Sequence, residues 1–490
     1  MKKALSLLVT LTTLFLFLAC NLPMIKHTEA EETTATREEV FETTKTIEPT
    51  ATITITTTST PIPEPTTLND DGPYLLFSGE SGIWISNPDG SILTQITTYS
   101  TDQYELRRAV SPQGDKLALI IEQEDGQYLV IISIPDGEMQ TIAQLSKLTM
   151  FDAENEAGES AGNAALMIGY YPNVSWQPRE GRYLAFVGAI NGPTSDLYVY
   201  DTQTNEIAQL TSGPSHAIIP IWSPDGQYIY HFGVNLVPPI GGALVGYNKM
   251  EGAWSVRISD GEVITQPTPK SSHYLFVGWQ DDSHYIMYDS DETCISKNLS
   301  SVDVTTGKAQ LLMNHSFYFG AALSPENGSI LFAGSEGCSD SVGEGIFLLM
   351  PGETEPEKLM SAKAYEVSWL PESKVFQAYP EALFSSDGKN VYESPIYDAS
   401  YHPAISKNGY QAWEVIENRI GRIEVKVPEE DWQKIAEGFF VDALIWDPVN
   451  GDKLIIASED GVIYRAQYPN FAMKKMGSID GYVSEIIWLN

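Results

Sequence analysis

Beyond residue 72 the chain alternates short apolar runs with turn residues, and the apolar runs are only three to about seven residues long. One stretch shows the rhythm: Val174-Ser175-Trp176, Tyr183-Leu184-Ala185-Phe186-Val187, Leu197-Tyr198-Val199-Tyr200 and Ile207-Ala208-Gln209-Leu210, with Gly, Pro, Asp or Asn between them. Runs of this length and composition, bounded by turn formers, read as strands. No stretch in this region reads as a long amphipathic helix. The pattern therefore predicts an all-β domain over 73–490.

The strands recur in groups. Ile221-Trp222-Ser223-Pro224-Asp225-Gly226 leads into Tyr228-Ile229-Tyr230, and the four residues Ser223, Pro224, Asp225 and Gly226 fill the positions of a type I turn. Related turns stand at Ser111-Pro112-Gln113-Gly114, Ser324-Pro325-Glu326-Asn327-Gly328, Leu370-Pro371-Glu372 and Asp447-Pro448-Val449-Asn450-Gly451. Tryptophan recurs just before or inside such turns, at Trp176, Trp222, Trp279, Trp369, Trp446 and Trp488. Indoles repeated on one strand per unit are assigned to packing between neighbouring units. The period suits one four-stranded blade per repeat, and thus a β-propeller.

The two ends complement each other. Tyr74–Phe77, Gly82–Ser86 and Leu93–Thr97 match the second to fourth strands of a unit, and Ser484–Asn490 matches the first strand, so the C-terminal strand is expected to close the first blade. Candidate units begin near 74, 107, 174, 219, 276, 320, 366, 401 and 443. The unit at 366 is the weakest, and reading Val375 to Pro395 as a connection gives eight blades, within a range of seven to nine.

The N-terminal part is different. Lys2 and Lys3 precede an uncharged run from Ala4 to Ala19, and Phe17-Leu18-Ala19-Cys20 resembles a lipobox. This predicts a signal peptide over 1–20, lipidation of Cys20 and attachment to a bilayer on the extracytoplasmic side of a membrane, at the cell surface or in the periplasm. Residues 21–72, rich in Thr, Pro and Glu, read as a disordered stalk. In an oxidising compartment Cys294 and Cys338, each just beyond the second strand of adjacent units, are expected to form an inter-blade disulfide. The net charge of −36 excludes nucleic acid as a partner, because phosphate binding needs a basic surface.

The Trp-Ser-Pro-Asp-Gly turn, with Leu197-Tyr198-Val199-Tyr200-Asp201, resembles the TolB-like, WD-repeat-like β-propeller family. That resemblance implies a fold and transfers no catalytic residue. Gly158-Glu159-Ser160-Ala161-Gly162 matches a nucleophile elbow formally, but no strand precedes it. The seven histidines lack paired ligand spacing, and the acidic turns at 69–72 and 289–292 lack a calcium-loop pattern. No catalytic residue, metal or cofactor is therefore assigned. The insertions Ser146 to Pro172 and Gly233 to Met250 are the candidate contact loops. The expectation is a monomeric, membrane-anchored module that recognises a protein, peptide or glycan and is not an enzyme. The rival is a propeller hydrolase or lyase, which would gather ionisable residues from several blades, with perturbed pKa values, at one channel mouth.

Overall fold

The computed structural model describes residues 68, 72–101, 105–155, 160–237, 247–268, 275–289, 296–334, 342–364, 366–379, 382–395 and 400–489. Cys20, Cys294 and Cys338 lie outside the described residues, as do most of the two acidic turns. Among the described residues no helix is long and apolar enough to cross a membrane.

Among the described residues nine antiparallel sheets follow one another along the chain. Eight are four-stranded and one, here blade 2, has three strands. Blade 1 combines Tyr74–Gly79, Gly82–Ser86 and Leu93–Thr97 with the C-terminal strand Val483–Leu489. Leu76 pairs with Ile487 and Phe77 with Ile486, so the ring closes through its termini as the strand pattern predicts. The blade count is nine and corrects the expected eight. Val375–Tyr379, Ala382–Ser385 and Val391–Glu393 complete a true blade with Glu366–Leu370. Its outer strands are short, and the outermost, Val-Tyr-Glu, carries little apolar signal; yet Phe376, Leu383 and Phe384 are fully buried.

The turns work as the sequence suggests. Gly226 N–H donates to Ser223 O (2.8 Å), Ser223 Oγ accepts the N–H of Tyr228 (3.0 Å), and Asp225 Oδ1 accepts the N–H of Gln227 (3.0 Å). Gly226 has φ +70°, a conformation that costs a residue with a Cβ about 1–2 kcal/mol. The same bond recurs from Gly114 to Ser111 O (2.9 Å), and in the longer turn Gly451 N–H reaches four residues back to Asp447 O (2.9 Å).

Two helices occupy the insertion between blades 2 and 3, where no helix was expected. We label them after a one-turn helix, α1 (Leu106–Ala109): α2 (Met150–Asn155) and α3 (Ser160–Tyr170). In α3, Ala164 to Ile168 are all buried. An unbroken buried run hides the 3.6-residue stripe by which amphipathic helices are recognised.

Candidate functional site at the inner wall of blade 2

In eight blades the innermost position is held by a strand. Blade 2 consists of Lys116–Gln123, Gly126–Ser133 and Met139–Ser146, and α1 sits where its inner strand would be. The indoles prove the equivalence. Trp222 Nε1 donates to Ser175 O in the preceding inner strand (2.8 Å), Trp446 Nε1 to Ala404 O (3.2 Å), and Trp176 Nε1 to Ala109 O in α1 (2.7 Å). Each Trp of this type thus bolts its blade to the one before. Leu106 and Ala109, three apart, bury one face of α1 and leave Arg107 and Arg108 on the other. The remaining indoles of the repeat, Trp279, Trp369 and Trp488, also lie in inner strands.

Three carboxylates have a shared task, Asp442 and Glu485 near the starts of inner strands and Glu414 on the second strand of its blade, opposite Tyr401 of the inner one. Glu414 Oε1 accepts the N–H of Val441 (2.9 Å), Asp442 Oδ2 that of Val483 (2.7 Å), and Glu485 Oε2 that of Leu106 (2.9 Å). Each carboxylate clasps the first residues of the following blade. His402 joins the row, its Nδ1 lying 3.0 Å from Glu414 Oε2. Burial pushes Asp442 and Glu485 above the usual carboxylate range; the N–H of Val483 opposes the shift at Asp442, and the N–H of Leu106 and the charge of Arg107 oppose it at Glu485. Ionisable groups of blades 8, 9, 1 and 2 therefore converge at one end of the inner ring, and several have shifted proton affinity.

The two arginines differ. Arg107 pairs with Glu372 of blade 7, across the ring. Its side chain is 45% exposed to water, yet burial still lowers its pKa, as expected for a group wet inside a protein-walled channel. Arg108 Nη2 donates to Pro220 O (3.1 Å) and Pro172 O (3.4 Å). Among the described residues no carboxylate lies within ion-pair distance of it. Burial lowers its pKa, and the charge of Glu105 partly opposes this. Arg108 is common to the lining of three cavities. One of about 440 Å³ includes Arg107, Trp176 and Trp488, one of about 550 Å³ includes Trp222, Phe232 and Phe276, and one of about 210 Å³ follows Ala118 to Glu122.

Other sequence candidates are placed elsewhere. Ser160 opens α3 and donates to Pro193 O (2.9 Å), with no base beside it among its contacts. Ser195, Asp196 and His216 do meet, with Ser195 Oγ 3.2 Å from His216 Nδ1. That nitrogen also accepts the Ser195 N–H (3.1 Å), and Asp196 Oδ1 is bound by Thr211 Oγ1 (3.1 Å) and the N–H of Gly213 (2.9 Å). Ser195 is fully buried, so the trio locks a loop. Among the described residues no group of histidine, cysteine or carboxylate side chains could hold a metal ion. Arg107 and Arg108 were missed in the sequence, where their only trace is a pair of charges at the expected start of a unit near 107.

No protein-family model matches the chain. A stretch of 54 residues, 11% of this chain, is 41% identical to part of the uncharacterized peptidase YuxL of Bacillus subtilis (strain 168). The match covers 8% of YuxL, so the chain spans under a tenth of the curated relative it matches. Among similar solved structures are an oligogalacturonate lyase in complex with manganese (13% identity, 76% of this chain and 86% of that one, TM-score 0.36) and the Pyrococcus horikoshii acylaminoacyl peptidase (12%, 74% and 50%, TM-score 0.36). TolB from Acinetobacter baumannii is another (14%, 76% and 82%, TM-score 0.28). The expectation that the chain is not an enzyme is corrected by the curated match, which is to a peptidase. Over its described residues the chain is a nine-bladed β-propeller.

Proposed function

We propose that this ring is a peptide-handling propeller of the hydrolase type, which holds a carboxylate-bearing peptide at the inner wall of blade 2. One observation carries the reading: Arg108 is a half-buried guanidinium, satisfied by two carbonyls and without an ion-pair partner among the described residues, facing cavities left by a missing strand. A buried cation is costly unless compensated, and an incoming carboxylate would supply the compensation with bidentate geometry. In this reading Glu485, whose burial favours the protonated form, stands on the adjoining wall as the proton-transferring group. The local identity to a peptidase favours peptides over glycans.

The test is hydrolysis and binding of a defined peptide mixture by the full chain and by Arg108→Met and Glu485→Gln. Arg108→Met is expected to raise KM at least tenfold with kcat held. Glu485→Gln, which can still accept the Leu106 N–H, is expected to lower kcat at least tenfold with KM held. Unchanged binding in Arg108→Met would reject the reading. The proposal places the ring outside the cytoplasmic membrane through lipid on Cys20, and incorporation of labelled palmitate equal in wild type and Cys20→Ser would reject that part.

A further inference from the structure

Blade 2 carries more than a cation. In an antiparallel strand, alternate residues turn both N–H and C=O to the same side. Asp115 O accepts the N–H of Ile134, on the side of Gly126–Ser133, whereas Lys116 O accepts the N–H of Ser111, on the inner side (2.8 Å each). It follows that Ala118, Ile120 and Glu122 present their backbone groups to the ring's interior. Only the first part of this edge is used, by the bridge between Val110 and Leu117. Past it, Lys116–Gln123 is an edge strand with no inner neighbour among the described residues.

The cavity of about 210 Å³ runs along this edge. Ile168, Pro172 and Asn173 also line it, as do Arg108 and Glu105. Asn173 cannot turn to fill it: its amide is committed to Met167 O (2.7 Å), and its oxygen to the N–H of Ile219 (3.0 Å). Direction then follows from topology. In blades built from one continuous stretch, such as blades 4 and 9, the inner strand runs antiparallel to its neighbour and toward the turn that joins them. A segment entering blade 2 in that sense would end at α1, with its last carboxylate against Arg108.

We infer that the slot along Ala118–Glu122 takes the last residues of an extended peptide, about three at roughly 3.4 Å each, as the missing inner strand, with the free C-terminal carboxylate on Arg108. Main-chain bonds to Ile120 and Glu122 would give affinity without regard to sequence, and the guanidinium would give selectivity for chain ends. This inference rests on the peptide-handling reading above and adds to it the binding mode.

The experiment uses the full chain and four probes: tetra-alanine as the free acid, as the C-terminal amide, and as free acids N-methylated at the second or at the third residue. Titration calorimetry is expected to show at least tenfold weaker binding of the amide. Of the two N-methylated acids, one is expected to bind at least tenfold more weakly and the other within twofold of the parent, because only alternate N–H groups face the strand. Equal behaviour of the two methylated peptides, with the amide still weakened, would overturn strand addition and leave the carboxylate reading standing. Equal binding of acid and amide, or no binding of the acid at millimolar concentration, would overturn both. Dimers of the protein that Arg108→Met dissociates, with no peptide binding, would show that a second copy of this chain fills the slot.

Discussion

Blades 4 and 2 are built around the same turn and end differently. In blade 4, Phe232 pairs with Ile218 on its inner side and with Ala253 on its outer side. In blade 2, Ile120 stands at the equivalent place, six residues after the turn glycine, and pairs only with Leu129 on its outer side. Gly226 and Gly114 nonetheless have nearly the same φ, +70° and +73°. The turn motif therefore asks for only two residues on its incoming side. Ala109 and Val110 supply these, and Ala109 O supplies the acceptor for the next blade's tryptophan. The rest of an inner strand is dispensable to the ring, which frees blade 2 to carry a site.

The sharpest way to break this comparison is to truncate both residues. Phe232 is 5% exposed and meets Tyr230 edge-on at 5.2 Å. Phe232→Ala is expected to cost about 3–5 kcal/mol, and Ile120→Ala about 1 kcal/mol, because Ile120 is only half-buried and has less packing to lose. Urea denaturation measures both. Equal losses would mean that blade 2 is as tightly filled as blade 4.

The strand between those neighbours also decides a pH response. His231 of blade 4 is buried, stacks on Trp254 at 5.9 Å, and donates from Nδ1 to Phe232 O (3.3 Å). Burial depresses its pKa from 6.5 to about 4. The folded state thus holds a neutral imidazole while the unfolded chain takes a proton below 6.5. The associated stability is intact above pH 6.5 and is lost as pH falls toward 4, by up to about 3 kcal/mol. Leu119, at the equivalent place in blade 2, has no such dependence. His231→Phe should flatten the decline in Tm between pH 7 and 4.5, and an unchanged slope would show that His231 stays wet.

Next in size are the tryptophan bolts. Trp222→Phe and Trp176→Phe each remove one donor to a buried carbonyl and are expected to cost about 1–3 kcal/mol. Only Trp176→Phe releases α1, so only it should weaken tetra-alanine binding, by threefold or more. If both leave binding unchanged, Ala109 O is not what positions Arg108.

These contrasts also separate what was legible in the sequence from what was not. Repeat period, turn chemistry and closure were legible, because Ser223, Asp225 and Gly226 make bonds within a few residues and Leu76 and Ile487 belong to apolar runs of the right length. The ninth blade was obscured because Val391–Glu393 is three residues long and lies on the outer rim, where packing no longer demands apolar side chains. The site was illegible for a physical reason of another kind. Arg107-Arg108 reads as a solvated pair, since nothing local says that the next residues of the ring will wall it in.

The smallest effect gives the finest test of how much room the absent strand leaves. A Cβ on Gly226 would come within 2.9 Å of Gln177, whose amide ties blade 3 to Gly226 O (3.2 Å). On Gly114 it would meet only Leu489, at an ordinary 3.7 Å. Both substitutions incur the left-handed backbone strain, about 1–2 kcal/mol, so this cancels between them. What remains is the displaced glutamine, which should make Gly226→Ala the worse by roughly 0.5–1 kcal/mol, the worth of one ordinary hydrogen bond. Equal losses in parallel denaturation curves would mean that the wall beside Gly114 is filled as closely as the one beside Gly226, and that the vacancy in blade 2 does not extend to its turn.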